Sequence, residues 1–151
     1  MIDQAAPDFS LPATGGQTLT LSALQGQKVV LYFYPKDSTP GCITESQQFR
    51  DIYPEFLASG TIVLGISRDG IKSHDNFRLK QSLPFDLISD PDELACTLFG
   101  VMKLKNMYGK QVRGIERSTF VIDAGGVLRR EWRGVKVPGH AQEVLEYVKT
   151  L

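Results

Sequence analysis

The stretch PKDSTPGCITE, residues 35–45, holds one of only two cysteines in the chain. Cys42 directly follows Pro40 and Gly41, with Thr39 just before them, and has no partner at C-x-x-C spacing. Turn formers at the mouth of a helical pattern put this thiol at a helix N-terminus. Unpaired N–H groups and a partial positive charge there favour the thiolate. The thiolate is the attacking form of cysteine, so the position argues for a nucleophile. The alternative is a buried, inert cysteine that fills space, against which the polar, turn-forming flank STPG weighs. Thr39 has two readings that spacing does not separate: a helix N-cap bonded to a backbone N–H, or a hydroxyl aimed at a bound oxygen atom.

Several thiol chemistries lack their other half. A cysteine protease needs a histidine base, and neither His74 nor His140 lies in a neighbourhood that suggests a catalytic pair. A cysteine phosphatase closes its loop with an arginine six residues after the nucleophile, where this chain has Gln48. A thioredoxin-type oxidoreductase needs a second cysteine at position 45, which is Glu45. Zinc lacks a plausible ligand set. What remains is attack by a lone thiolate on an electrophile such as a peroxide O–O bond, giving a sulfenic acid. Such a site must stabilise the departing oxygen with hydroxyls, helix N–H groups or a guanidinium.

The elements that must position Cys42 read as a mixed α/β fold. KVVLYFY (28–34), TIVLGI (61–66) and STFVID (118–123) are almost continuously apolar, as parallel strands covered on both faces are. After Cys42, the positions Phe49, Ile52, Tyr53, Phe56 and Leu57 follow helical spacing, with a break expected near Pro54. A weaker helix covers 73–82 and stops before Pro84. DPDELACTLFG (90–100) reads as a helix with an Asp90 cap, Pro91 at its first position and a terminating Gly100. VIDAGGVLRREW reads as a hairpin, residues 17–21 as an edge strand, and GHAQEVLEYVKTL as a last amphipathic helix. Residues 101–116 have no clear period and read as loop. These elements make a mixed central sheet flanked by helices on both faces. Cys42 then falls at the carboxyl end of a strand, where such sheets bind ligands.

The 151 residues suit a single domain, 1–151. Seventeen basic and seventeen acidic side chains cancel, and no basic stripe points to nucleic acid. No apolar run approaches the ~18 residues of a membrane span. The start MIDQAAPDFS lacks signal-peptide order, and two cysteines do not make a disulfide scaffold. The expected compartment is the cytosol.

Pro35, Thr39 and Cys42 stand as Pro-x-x-x-Thr-x-x-Cys, which resembles the active-site signature of the peroxiredoxins. FYPKDSTPGC followed by TE and FRD is similar to the PrxQ branch, also called bacterioferritin comigratory proteins. APDFSLPATGG, VLGIS, SLPFDLISD, FGV and RSTFVID extend the likeness over almost the whole chain. The resemblance implies a thioredoxin-like fold and a peroxidase with no metal or flavin. It makes Cys42 the peroxidatic cysteine and Thr39 the threonine that bonds the peroxide. Pro35 becomes the proline that shields the thiolate, and Arg117 the arginine that stabilises it and polarises the peroxide. Glu45 matches a glutamate that orients that arginine. Without the resemblance, Arg117 reads as a solvated strand-edge charge.

One departure matters. Many PrxQ proteins carry a resolving cysteine five residues after the first, where this chain has Gln47; others carry it in the region 73–82, which here has none. Cys96 is the one remaining candidate, and its apolar neighbours read as a packed helix. The reading is therefore a monomeric thiol peroxidase for hydrogen peroxide and organic hydroperoxides, using one cysteine and an external thiol such as thioredoxin, glutaredoxin or glutathione. The rivals are a two-cysteine cycle through Cys96, a redox sensor that passes its oxidation to a partner, and a binding module with an unreactive Cys42.

Overall fold

The computed structural model describes residues 1–151. Five segments in chain order build the first half of the sheet: β1 (Ser10–Ala13), β2 (Gln17–Thr20), β3 (Lys28–Phe33), β4 (Thr61–Ser67) and β5 (Leu87–Ser89). A hairpin of β6 (Met102–Met107) and β7 (Lys110–Ile115) stands apart, and β8 (Ser118–Ile122) and β9 (Leu128–Arg133) complete the sheet. The helices are α1 (Pro40–Asp51), α2 (Tyr53–Ala58), α3 (Ile71–Lys80), α4 (Leu94–Leu98) and α5 (His140–Val148). The seven-stranded order is β2-β1-β5-β4-β3-β8-β9.

Strand β3 lies inside the sheet between β4 and β8, so alternate residues along it serve different cores. Val29, Leu31 and Phe33 pack on one face with Cys96, Phe99 and Phe120. Val30, Tyr32 and Tyr34 pack on the other with Cys42, Phe49, Phe56, Phe77 and Val144. Helices α1, α2, α3 and α5 thus cover one face, and α4 with the 3-10 turn Leu21–Leu24 covers the other. Phe49 is fully buried in a stack with Tyr32, ring centroids 4.8 Å apart. Its truncation to alanine costs about 3–5 kcal/mol.

Pro40 opens α1 at a position where its missing N–H is no loss. The break expected near Pro54 falls at Ile52, which separates α1 from α2. Residues 17–20 form an edge strand, and the last helix buries Ala141, Val144, Leu145 and Val148 as one face.

Four expectations need correction. Strands β3, β4 and β5 are parallel, but β8 runs antiparallel to β3, pairing Val29 with Ile122 and Phe33 with Ser118. An apolar run reports burial on both faces and is silent on direction. Residues 101–116 are not loop: β6 and β7 pair from Met102↔Ile115 to Met107↔Lys110. Their side chains are mostly exposed on both faces, so no alternation marks them. The 90–100 helix is only Leu94–Leu98, because Glu93 takes a left-handed conformation at φ 61°. Pro91 is therefore outside the helix, although the Asp90 carboxylate accepts from the Leu94 and Cys96 N–H groups at 2.8 Å each and Gly100 still terminates it. Strands β1 and β5 carry no period-two pattern long enough to read, and α3 starts at Ile71 rather than 73.

Candidate active site

Strand β3 ends at Phe33, residues 34–39 form a loop, and α1 places Cys42 in its first turn. The antiparallel direction of β8 decides what faces it. Ser118 pairs with Phe33, so Arg117 arrives at the carboxyl end of β3. A parallel β8 would have put residue 117 at the opposite end of the sheet. Arg117 Nη2 lies 3.4 Å from Cys42 Sγ, and Nη1 lies 2.6 Å from Glu45 Oε1. Glu45 follows Cys42 by three residues, so both sit on one face of α1. Gly41 allows the approach, because a Cβ there would stand 3.2 Å from Arg117 Nη2.

The site is deeply enclosed. Cys42 and Glu45 are each 1% exposed. The Arg117 side chain is only 16% exposed, so it is not the solvated charge that its position in the sequence alone suggests. Burial pushes the Glu45 carboxyl up to about 7 despite the opposing Arg117 charge. Burial works against the Arg117 charge too, but Glu45 and Cys42 outweigh it and push that group up. Its contacts to two acceptors keep Arg117 charged. Glu45 Oε2 is buried with no hydrogen-bond partner.

Thr39 occupies the N-cap position with extended backbone, and its carbonyl accepts from Ile43 N–H at 2.9 Å. Its side chain makes no cap bond; Oγ1 donates to the Lys36 carbonyl at 2.9 Å instead. Pro35 is half-buried in the loop directly after β3. Cys96 is the residue the structure does not bring in. It is fully buried in the core on the opposite face of the sheet from Cys42. Burial and the nearby Asp90 carboxylate raise its thiol far above the ordinary cysteine value.

Beside the site lies a buried polar network that no sequence motif marks. Asp37, inside the PKDSTPGC stretch, accepts from Tyr34 Oη at 2.6 Å, from Ser73 Oγ at 2.8 Å and from His74 Nδ1 at 2.7 Å. His74 Nε2 meets the Ile88 carbonyl at 2.9 Å. Both ring nitrogens face acceptors, so the geometry suits an imidazolium paired with a carboxylate. Burial works against the Asp37 charge, but the His74 contacts outweigh it and hold that carboxyl below its ordinary value. The Asp37 N–H donates to Asp69 Oδ2 at 2.9 Å. Asp37, Asp69 and His74 place ligand-type atoms within 4.8 Å of one another, and each residue is engaged in these internal bonds. A lone aspartate and a histidine 37 residues apart gave no signal of this pairing. On the other side, His140 Nε2 pairs with Thr119 Oγ1 at 2.7 Å, and burial pushes that imidazole down to about 4.

A thiolate at a helix N-terminus, with a guanidinium against the sulfur and a carboxylate fixing the guanidinium, can attack an electrophile and hold the negative charge that leaves. Comparison with known proteins points the same way. The model of the AhpC/TSA family matches residues 2–131. The chain is 52% identical to the peroxiredoxin Bcp of Xanthomonas campestris, over 99% of this chain and 94% of that one. A solved structure of the X. campestris bacterioferritin comigratory protein, described as giving insight into its alkyl peroxide reduction activity, superposes with a TM-score of 0.90 at 53% identity, covering 94% of this chain and 90% of that one. A cysteine-to-serine variant of Xylella fastidiosa PrxQ gives a TM-score of 0.94 at 45% identity, with 99% and 96% covered.

Proposed function

Because the chain belongs to the AhpC/TSA family, in its PrxQ or bacterioferritin comigratory branch, we propose that it reduces hydroperoxides through Cys42 alone and is restored by an external thiol. The protein is a thiol-dependent peroxidase with a thioredoxin-like fold. The single observation that carries the site assignment is Arg117 Nη2 at 3.4 Å from Cys42 Sγ, with Glu45 2.6 Å behind it on the same guanidinium.

In the reaction the Cys42 thiolate attacks one oxygen of ROOH. The S–O bond forms as the O–O bond breaks, Cys42 becomes a sulfenic acid, and the departing oxygen leaves as alcohol or water after taking a proton. Arg117 polarises the peroxide and balances the charge on sulfur and on the leaving oxygen. Thr39 Oγ1 donates its hydrogen bond to the Lys36 carbonyl, so its lone pairs are free to accept the O–H of the peroxide. Pro35 shields the sulfur from water. Glu45 keeps the guanidinium turned toward the sulfur. The substrates are hydrogen peroxide and organic hydroperoxides, and the chain acts as a monomer.

The one-cysteine reading is supported by Gln47 and by the burial of Cys96 across the sheet. The test is peroxide consumption with excess dithiothreitol. The wild type and Cys96→Ser turn over many times, and Cys42→Ser does not. A single stoichiometric burst in the wild type, with no further turnover, would instead identify a sensor.

A further inference from the structure

The β6–β7 hairpin leaves most of its side chains exposed. Leu104 is 67% exposed, Met107 50% and Tyr108 100%. A two-stranded ribbon with uncovered faces is marginal by itself. This one is held at its base by buried Ile115 and by the Arg113–Glu93 ion pair. Its turn places Tyr108 at φ 53° and Gly109 at φ 78°. That backbone suits Asn-Gly, yet the first position presents a whole tyrosine ring to solvent.

The hairpin is also cationic. Residues 102–115 include Lys103, Lys105, Lys110 and Arg113 and no carboxylate, in a chain whose formal net charge is zero. The register sets Lys105 opposite Val112 and Met107 opposite Lys110. Directly opposed residues share a face, so Lys103, Lys105, Met107, Lys110 and Val112 make one basic and apolar surface. The Lys105 end of that surface reaches Ile115, two residues before Arg117. Lys105 Nζ donates to the Ile115 carbonyl; burial and the Arg117 charge lower its ammonium, while Glu116 and Cys42 act the other way. The chain then runs from β7 through Glu116 directly to Arg117.

We propose that this face of the hairpin docks the protein thiol that reduces oxidised Cys42, and that this reductant carries an acidic, partly apolar rim around its own thiol. The proposal rests on the one-cysteine peroxidase reading. The partner thiol condenses with the Cys42 sulfenic acid, forming a mixed disulfide and releasing water. A second thiol of the partner then attacks the partner's sulfur in that disulfide. The Cys42 thiolate leaves, and the partner keeps the disulfide and has given up two electrons. Exposed Tyr and Met supply the adhesive contacts, and the lysines select an acidic partner and speed encounter.

The test compares purified thioredoxin, kept reduced by its reductase, with dithiothreitol as electron donor. The variants are Met107→Ser/Tyr108→Ser and Lys103→Glu/Lys110→Glu, all at exposed positions. Each variant is expected to raise the KM for thioredoxin about tenfold or more while leaving dithiothreitol-driven turnover unchanged. Added salt should weaken thioredoxin use by the wild type more than by the charge-reversed variant. Unchanged KM in both variants overturns the proposal. So does wild-type turnover with dithiothreitol but none with thioredoxin, or a wild-type dimer that these substitutions dissociate, which would make the occupant a second copy. Loss of dithiothreitol-driven turnover in the wild type would instead defeat the peroxidase reading itself.

Discussion

At the scale of single residues, the site is a short chain of contacts from Cys42 through Arg117 to Glu45. Arg117→Met removes the charged donor and should slow Cys42 oxidation by about 10²–10³, measured by rapid mixing with hydrogen peroxide. Glu45 gives a pH test of stability. Its carboxyl sits at about 7 in the folded protein against an ordinary 4.5, so between those values the folded state holds more protons than the unfolded chain. Its stabilising contribution is full below 4.5 and is lost as pH rises through 7, an effect of about 3 kcal/mol when complete. His140 acts in the opposite sense, because its lowered imidazole loses stability as pH falls from 6.5 toward 4. The comparison is therefore wild type against Glu45→Gln. Urea denaturation should show the wild type losing stability relative to the variant from pH 5 to 8. Parallel curves would mean that Glu45 stays ionised throughout.

At the scale of elements, α3 and its C-cap residue Gln81 hold α1 on both sides of Cys42. Ser73 and His74 grip Asp37 in the loop before it, while Gln47 Nε2 bonds Gln81 Oε1 at 3.0 Å and Arg50 Nη1 bonds the Gln81 carbonyl at 2.9 Å after it. Removing one partner of a buried ion pair leaves the other uncompensated, at a cost of about 3–5 kcal/mol. Asp37→Ala and His74→Ala should each show a loss of that order in urea unfolding. The double variant should lose clearly less than the two losses together, since the interaction is removed only once. Strict additivity would show that the two side chains do not act as a pair. Oxidation of Cys42 should slow in both single variants, because the loop carrying Thr39 loses its anchor.

At the scale of the whole molecule, the sheet separates the two cysteines, Cys42 in the core beneath α1 and Cys96 in the core beneath α4. A disulfide needs Cα atoms within about 4.4–6.8 Å, and no local unwinding of α1 carries its thiol through β3. One equivalent of peroxide without reductant should therefore add one oxygen to the intact mass, in the wild type and in Cys96→Ser but not in Cys42→Ser. A monomer lighter by two hydrogens, with a peptide joining Cys42 to Cys96, would overturn this. Local features are legible along the chain. Turn formers before Cys42 fix a thiol at a helix start, the pattern around Pro54 fixes the break between α1 and α2, and long apolar runs fix the buried strands. Local pattern alone places Arg117 in solvent, and only its likeness to a family points to the site. The direction of β8, and with it the delivery of Arg117 to the end of β3, emerges only in the folded sheet. So do the pairing of Asp37 with His74, the hairpin at 102–115 and the placement of Cys96 across the sheet. Helix starts and buried runs follow from neighbours along the chain, whose covalent spacing is given. Strand direction, buried ion pairs and the face on which a cysteine lands depend on residues brought together from far apart in sequence, and only the closed sheet fixes those distances.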